Sequence, residues 1–73
     1  MSPFNKAFVS LLDEHHMTKA DFVRASGFGG SYVSQLCNGK VTDVTISKAA
    51  VITKVFNITF QDLYDRIQQY SAD

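Results

Sequence analysis

Three polar side chains in the middle of the sequence, Ser31, Ser34 and Gln35, have the types and spacing to read nucleobases. A glutamine amide carries a donor beside an acceptor and pairs bidentately with adenine in the major groove; a serine hydroxyl serves a base or a phosphate. At helical spacing they share one face with Gly30, which has no side chain to bond a base and either allows close backbone approach or simply loosens the turn. Tyr32 stands next to them. Its hydroxyl can reach a phosphate, or its ring can pack against the preceding helix or loop. A small polar face of this kind suits a DNA groove if the helix that carries it is held rigidly.

The stretch from Thr18 to Asn38 contains what must hold it, as T-K-A-D-F-V-R-A-S-G-F-G-G-S-Y-V-S-Q-L-C-N. Thr18 is an N-cap type whose hydroxyl accepts an N–H of the first turn. Phe22 and Val23 follow at core spacing, and Gly27 supplies a left-handed stop. Phe28 is the apolar residue of the turn. Val33 and Leu36 fall three apart, so both point inward from the second helix. Gly39 ends that helix as Gly27 ends the first.

The run Gly27 to Lys40, G-F-G-G-S-Y-V-S-Q-L-C-N-G-K, resembles the turn, recognition helix and following loop of the Cro/repressor-type helix-turn-helix family, and the likeness extends from about Phe4 to Tyr64. It implies an all-α, five-helix DNA-binding domain of the lambda-repressor-like kind, and a transcription regulator that binds double-stranded DNA as a dimer. Base contacts then fall on Gly30, Ser31, Ser34 and Gln35. Asn38 and Lys40 match the family's phosphate contacts, with simple turn chemistry as the alternative. Lys19 stands where the family often has a backbone-contacting glutamine, and otherwise is a solvated lysine. Tyr32 and Thr42 complete the phosphate set. The sequence departs from the family at Gly29, where a Ser or Thr cap is common, and at Gly30, where a base-reading side chain is common. The loop Val41–Val44 is one residue long for the family and lacks its proline. Asp43, in that loop, would be repelled by phosphate unless it points away or meets a donor.

Competing chemistries fare worse. His15 and His16 adjoin Asp13 and Glu14, but neighbouring helical residues diverge by about 100°, whereas zinc helices use i, i+4 pairs. G-F-G-G lacks both the preceding strand and the G-K-S/T of a phosphate loop. No nucleophile elbow or triad pattern accompanies the serines. No enzyme, metal site or cofactor is expected. Cys37 admits two readings, a redox switch or packing against Leu12. The family often pairs an acid and an arginine at these two positions, so the resemblance implies an ion pair replaced by apolar contact, which is often neutral or stabilising.

A chain of 73 residues makes one domain and buries only about 60% of its unfolded surface. Helices are expected over about 3–16, 18–26, 30–38, 45–56 and 59–69. In the first, Phe4, Phe8, Leu11, Leu12 and His15 face inward and Asn5, Lys6, Asp13 and Glu14 outward. In the fourth, Ile46, Ala49, Ala50, Ile52, Val55 and Phe56 form the apolar side, and Lys48 and Lys54 face solvent. In the fifth, Phe60, Leu63, Tyr64 and Ile67 point inward or to an interface, and Tyr64, Ile67 and Tyr70 are the dimer candidates. The tail from Gln68 to Asp73 is expected to fray.

Basic and acidic residues number seven each, for a net charge of zero. DNA-binding modules are usually more basic. Between residues 15 and 61, however, the balance is plus three, enough for a shallow salt dependence of about 3 to 5 ions per subunit and weak binding as a monomer. One cysteine permits no internal disulfide and fits a reducing, cytoplasmic setting. No apolar run approaches the ~20 residues of a membrane span. The chain reads as a small regulator or an excised DNA-binding domain. A protein-interaction module, or the antitoxin of a toxin–antitoxin pair, is the alternative that neutral charge and a glycine-rich turn favour.

Overall fold

A hydroxyl residue followed three places later by an acid or an amide starts three of the helices, each side chain accepting from the other's backbone N–H. In the computed structural model, which describes residues 1–71, α1 spans Pro3–Glu14, α2 Lys19–Ser26, α3 Gly30–Asn38, α4 Ile46–Phe56 and α5 Phe60–Gln69. No strand occurs among the described residues, so the fold is all-α. Thr18, Thr45 and Thr59 stand just outside their helices with extended backbones and cap them. The first helix stops at Glu14 rather than His16. His16 takes a left-handed φ of 54°, and the Met17 and His16 N–H groups close on Leu12 and Asp13 carbonyls at 2.9 and 3.1 Å. That closure satisfies the last turn and folds Met17 back onto the core.

Three phenylalanines hold α1, α2 and α4 together. Phe8 meets Phe22 edge-on at 5.0 Å between centroids, and Phe56 lies 6.0 Å from Phe8 and 5.3 Å from Phe22. All three are fully buried, with Leu11, Val33, Leu36 and Ile52 around them. Helix α1 packs against α3 and α5, and α2 against α3 and α4. Arg66 ties α5 to α1: its guanidinium donates to Ser10 Oγ and to Glu14 Oε1, each at 2.7 Å.

Several inward and outward assignments change. Ile46, expected on the apolar side, is 82% exposed at the first position of its helix, and Phe60, expected inward or at an interface, is 52% exposed and so does not point inward. Ala50 is exposed and Thr53 takes a buried place, its hydroxyl donating to the Ala50 carbonyl at 2.9 Å. His15 is exposed, with its ring 5.1 Å from Phe56. Gln68 and Gln69 complete α5, and the Ser71 hydroxyl donates to the Ile67 carbonyl. Residues 72 and 73 lie outside the described part.

The largest reversal concerns Asn5, expected on the solvent face and in fact fully buried. Its Nδ2 donates to the carbonyls of Leu36 and Val41, both at 2.7 Å. Its Oδ1 accepts from the Ser2 N–H at 3.1 Å and the Ser2 hydroxyl at 2.6 Å. All four hydrogen-bonding positions of the amide are used, so its burial carries no unpaired polar group. Asn5→Ala should destabilise the fold by about 2–4 kcal/mol, since two carbonyls lose their donor, while Lys6→Ala on the exposed side should stay within about 0.5 kcal/mol. Urea denaturation of both variants measures this.

Three carboxyls are held below their ordinary range. The Thr18 and Thr59 N–H groups, helped by the same residues' hydroxyls, act on Asp21 and Asp62; the Arg66 hydrogen bond and then its charge act on Glu14. Groups with depressed folded pKa values contribute stability that is complete above the unfolded values, near 4, and lost as pH falls through the folded ones. The urea midpoint should therefore hold steady above about pH 5 and decline below about pH 4. An Asp21→Asn/Asp62→Asn double variant should be weaker at neutral pH and lose less on acidification.

Candidate nucleic-acid interface

Val33 and Leu36 lie fully buried beneath α3, and at about 100° per residue the opposite side of that helix is Ser31, Ser34, Gln35 and Asn38. Ser31 and Asn38 are exposed, Ser34 and Gln35 half-exposed. Among the described residues the side chains of Ser31, Ser34 and Gln35 form no hydrogen bond within the protein; the neighbouring side-chain bonds belong to Ser26 and Asn38. Three polar groups thus stand ready on a helix whose rotation two buried side chains fix.

The rest of the frame comes from both ends of α3. At its start Phe28 wedges between Phe22 and Tyr32, 6.0 Å from the one and edge-on to the other at 5.4 Å. Tyr32 is therefore half-buried against the turn, the packing alternative, and its hydroxyl remains unbonded within the described residues. Gly29 caps the helix with no side-chain bond. At the other end Gly39 takes φ 89° with the Met1 side chain against it. The Val41 N–H returns to the Gln35 carbonyl at 3.2 Å, and Asn5 grips the Leu36 and Val41 carbonyls.

Asn38 divides its roles. Its Oδ1 accepts the Lys40 N–H at 3.0 Å, which is turn chemistry, and its amide nitrogen stays exposed. Lys40 and Thr42 are exposed on the loop. Asp43 turns its carboxylate onto the Val44 N–H at 2.8 Å, so a backbone donor occupies one oxygen of the loop's only acid.

Charge is distributed unevenly. Both arginines are committed within the fold, Arg24 to Asp21 and Arg66 to Glu14. Lys19, Lys40 and Lys48 have no carboxylate partner among the described residues. Lys19 lies beside Cys37 in a shallow hollow shared with Leu12 and Met17. Burial pushes the Cys37 thiol up, with Lys19 only partly opposing, so the thiol is not an activated one.

A sequence profile of the Cro/C1-type HTH DNA-binding domain matches residues 9–69. The chain belongs to this family. No curated protein and no solved structure matches it. The Cro/C1-type assignment makes the protein a DNA-binding one and α2–turn–α3 its helix-turn-helix. Asn5 precedes the matched segment, so the tether that fixes the end of the HTH comes from outside the region the family profile covers.

Lys48, expected on a plain solvent face, holds its ammonium 5.0 Å from the Tyr32 ring centroid and 5.6 Å from that of Phe28. Its signal was the aromatic pair one turn apart, 28 and 32, which presents ring faces to whatever packs across them. On α5, Tyr64 is 57% exposed and Phe60, one turn earlier, is exposed beside it; Ile67 is half-buried on the core. Tyr70 is half-buried near Met1 and Val9. No group of three or more His, Cys, Asp or Glu among the described residues could hold a metal ion, and no helix of the described residues is long and apolar enough to cross a membrane.

The glycines of the motif should respond in opposite directions. A Cβ on Gly30 meets nothing within 4 Å, so Gly30→Ala should raise stability by about 0.4–1 kcal/mol through the unfolded chain. Gly39→Ala should lower it by more than about 1 kcal/mol, since a left-handed φ and the Met1 Cγ at 3.1 Å both resist it. Thermal melts of the two variants give the comparison.

Proposed function

We propose that this DNA-binding domain is a sequence-specific transcriptional regulator, a repressor acting by occupancy in the cytoplasm, that binds a palindromic operator as a homodimer. The observation that carries the reading is the unbonded polar strip of α3 on a helix locked by Val33 and Leu36. Gln35 is the principal base reader, with Ser31 and Ser34 beside it and Gly30 allowing the backbone close to a base edge. Lys19, Lys40, the Asn38 amide nitrogen and the hydroxyls of Tyr32 and Thr42 take phosphates. No charged residue lies on α3 itself, so specificity resides in hydrogen bonds and attraction in the surrounding lysines.

A second copy suits the modest charge. One subunit with few free cations binds weakly, and two subunits with recognition helices about 34 Å apart double the phosphate term. The exposed ring of Tyr64, next to Phe60 and over the half-buried Ile67, with Tyr70 at the edge, is the surface for that contact.

Selection from a random DNA pool should enrich a palindrome. On that site Gln35→Ala should cost about 1–3 kcal/mol and relax preference at one base pair, while Lys40→Ala should weaken all sequences alike. Equal losses on selected and random DNA would remove Gln35 as a reader. A pool that returns no enriched sequence would overturn the regulator reading in favour of a protein-binding module.

A further inference from the structure

The strip formed by Ser31, Ser34, Gln35 and Asn38 has two edges, and both are occupied in the same way. Tyr32 and Cys37 each lie about 110° round α3 from the middle of the strip, on opposite sides. Lys19 of α2 stands beside Cys37. Lys48 of α4 stands over Tyr32. A helix in the major groove runs between two phosphate backbones, so cations on both of its flanks face both strands.

We propose that Lys48 is a DNA phosphate clamp, held on the Phe28 and Tyr32 rings, that grips the backbone strand on the side of α3 opposite Lys19. The proposal rests on the DNA-binding reading above and adds a contact which neither the motif nor the loop supplies. The two ring faces draw the ammonium toward α3 and limit the side chain's freedom, which lowers the ordering cost of a contact there. No acid stands in the first turn of α4, no carboxylate pairs with Lys48 among the described residues, and Asp43, which lines the same hollow, has an oxygen occupied by the Val44 N–H. Lys48 is exposed, so its charge is free for a phosphate.

The test is the salt dependence of binding by the full chain to a mixed-sequence DNA duplex two helical turns long, followed by fluorescence anisotropy. Each phosphate neutralised contributes about 0.9 to the slope of log affinity against log salt. Lys48→Met should reduce the slope by about one ion per subunit, and Lys48→Arg should retain it. Lys54→Met, on the far end of the same helix, should leave it unchanged. A merely structural role for Lys48 moves thermal stability and leaves the slope alone. If the unsubstituted chain shows no salt-dependent binding, the DNA-binding reading itself fails. If it binds and Lys48→Met keeps the full slope, the clamp alone is overturned.

Discussion

The Asn5 carboxamide sits where three segments converge: the first turn of α1, the last turn of α3 and the loop that follows. Burial leaves it no water, so its two N–H groups must find protein acceptors, and they find the Leu36 and Val41 carbonyls. Both belong to the backbone that ends α3 and launches the loop. Val33 and Leu36 set which side of α3 faces out; Asn5 sets where its end stops. A domain of this size has only about 4–10 kcal/mol of net stability, so one fully satisfied amide is a substantial share of what keeps the polar strip in position.

The treatment of charge follows from the same economy. A neutral chain has few cations to spare, yet both arginines pair with its own carboxylates, Arg24 on the exposed face of α2 and Arg66 across to α1, where its forked guanidinium serves Ser10 and Glu14 at once. Lysines remain for solvent and phosphate. Lys19, Lys40 and Lys48 flank α3 and none lies on it, so in the proposed reading attraction and base discrimination fall to different side chains. A net charge of zero is compatible with DNA binding because lysines without a carboxylate partner act at contact distance, even with Asp13 sharing the Lys19 hollow and Asp43 that of Lys48.

Helix ends show a comparable division. Three starts are closed by reciprocal boxes, and α4 keeps half of one, Thr45 accepting from the Lys48 N–H at 3.3 Å. Only α3 begins with a glycine that offers no side-chain acceptor. Its first turn gains nothing locally from that choice, and its hold on the fold comes from Phe28, Val33 and Leu36. The helix proposed to read bases is therefore the one whose position depends most on tertiary packing and least on its own sequence.

The sequence by itself determined the helices, the glycine turn and the burial of Val33 and Leu36, because caps, left-handed stops and apolar spacing are local properties that act over three or four residues. It also singled out Gln35, Ser31 and Ser34, since the outward face follows from the inward one. It misplaced Asn5 and Ile46 and gave no special place to Lys48 or Arg66. In the first turns of α1, α4 and α5 the helical period does not say whether a neighbour is present to cover the face. Asn5 needed carbonyls 31 and 36 positions away, Arg66 a glutamate 52 positions back, and Lys48 two rings from the previous helix–turn unit. A polar side chain looks alike in sequence whether it meets water or a distant partner, and only the folding of the chain onto itself brings the partner within hydrogen-bonding reach.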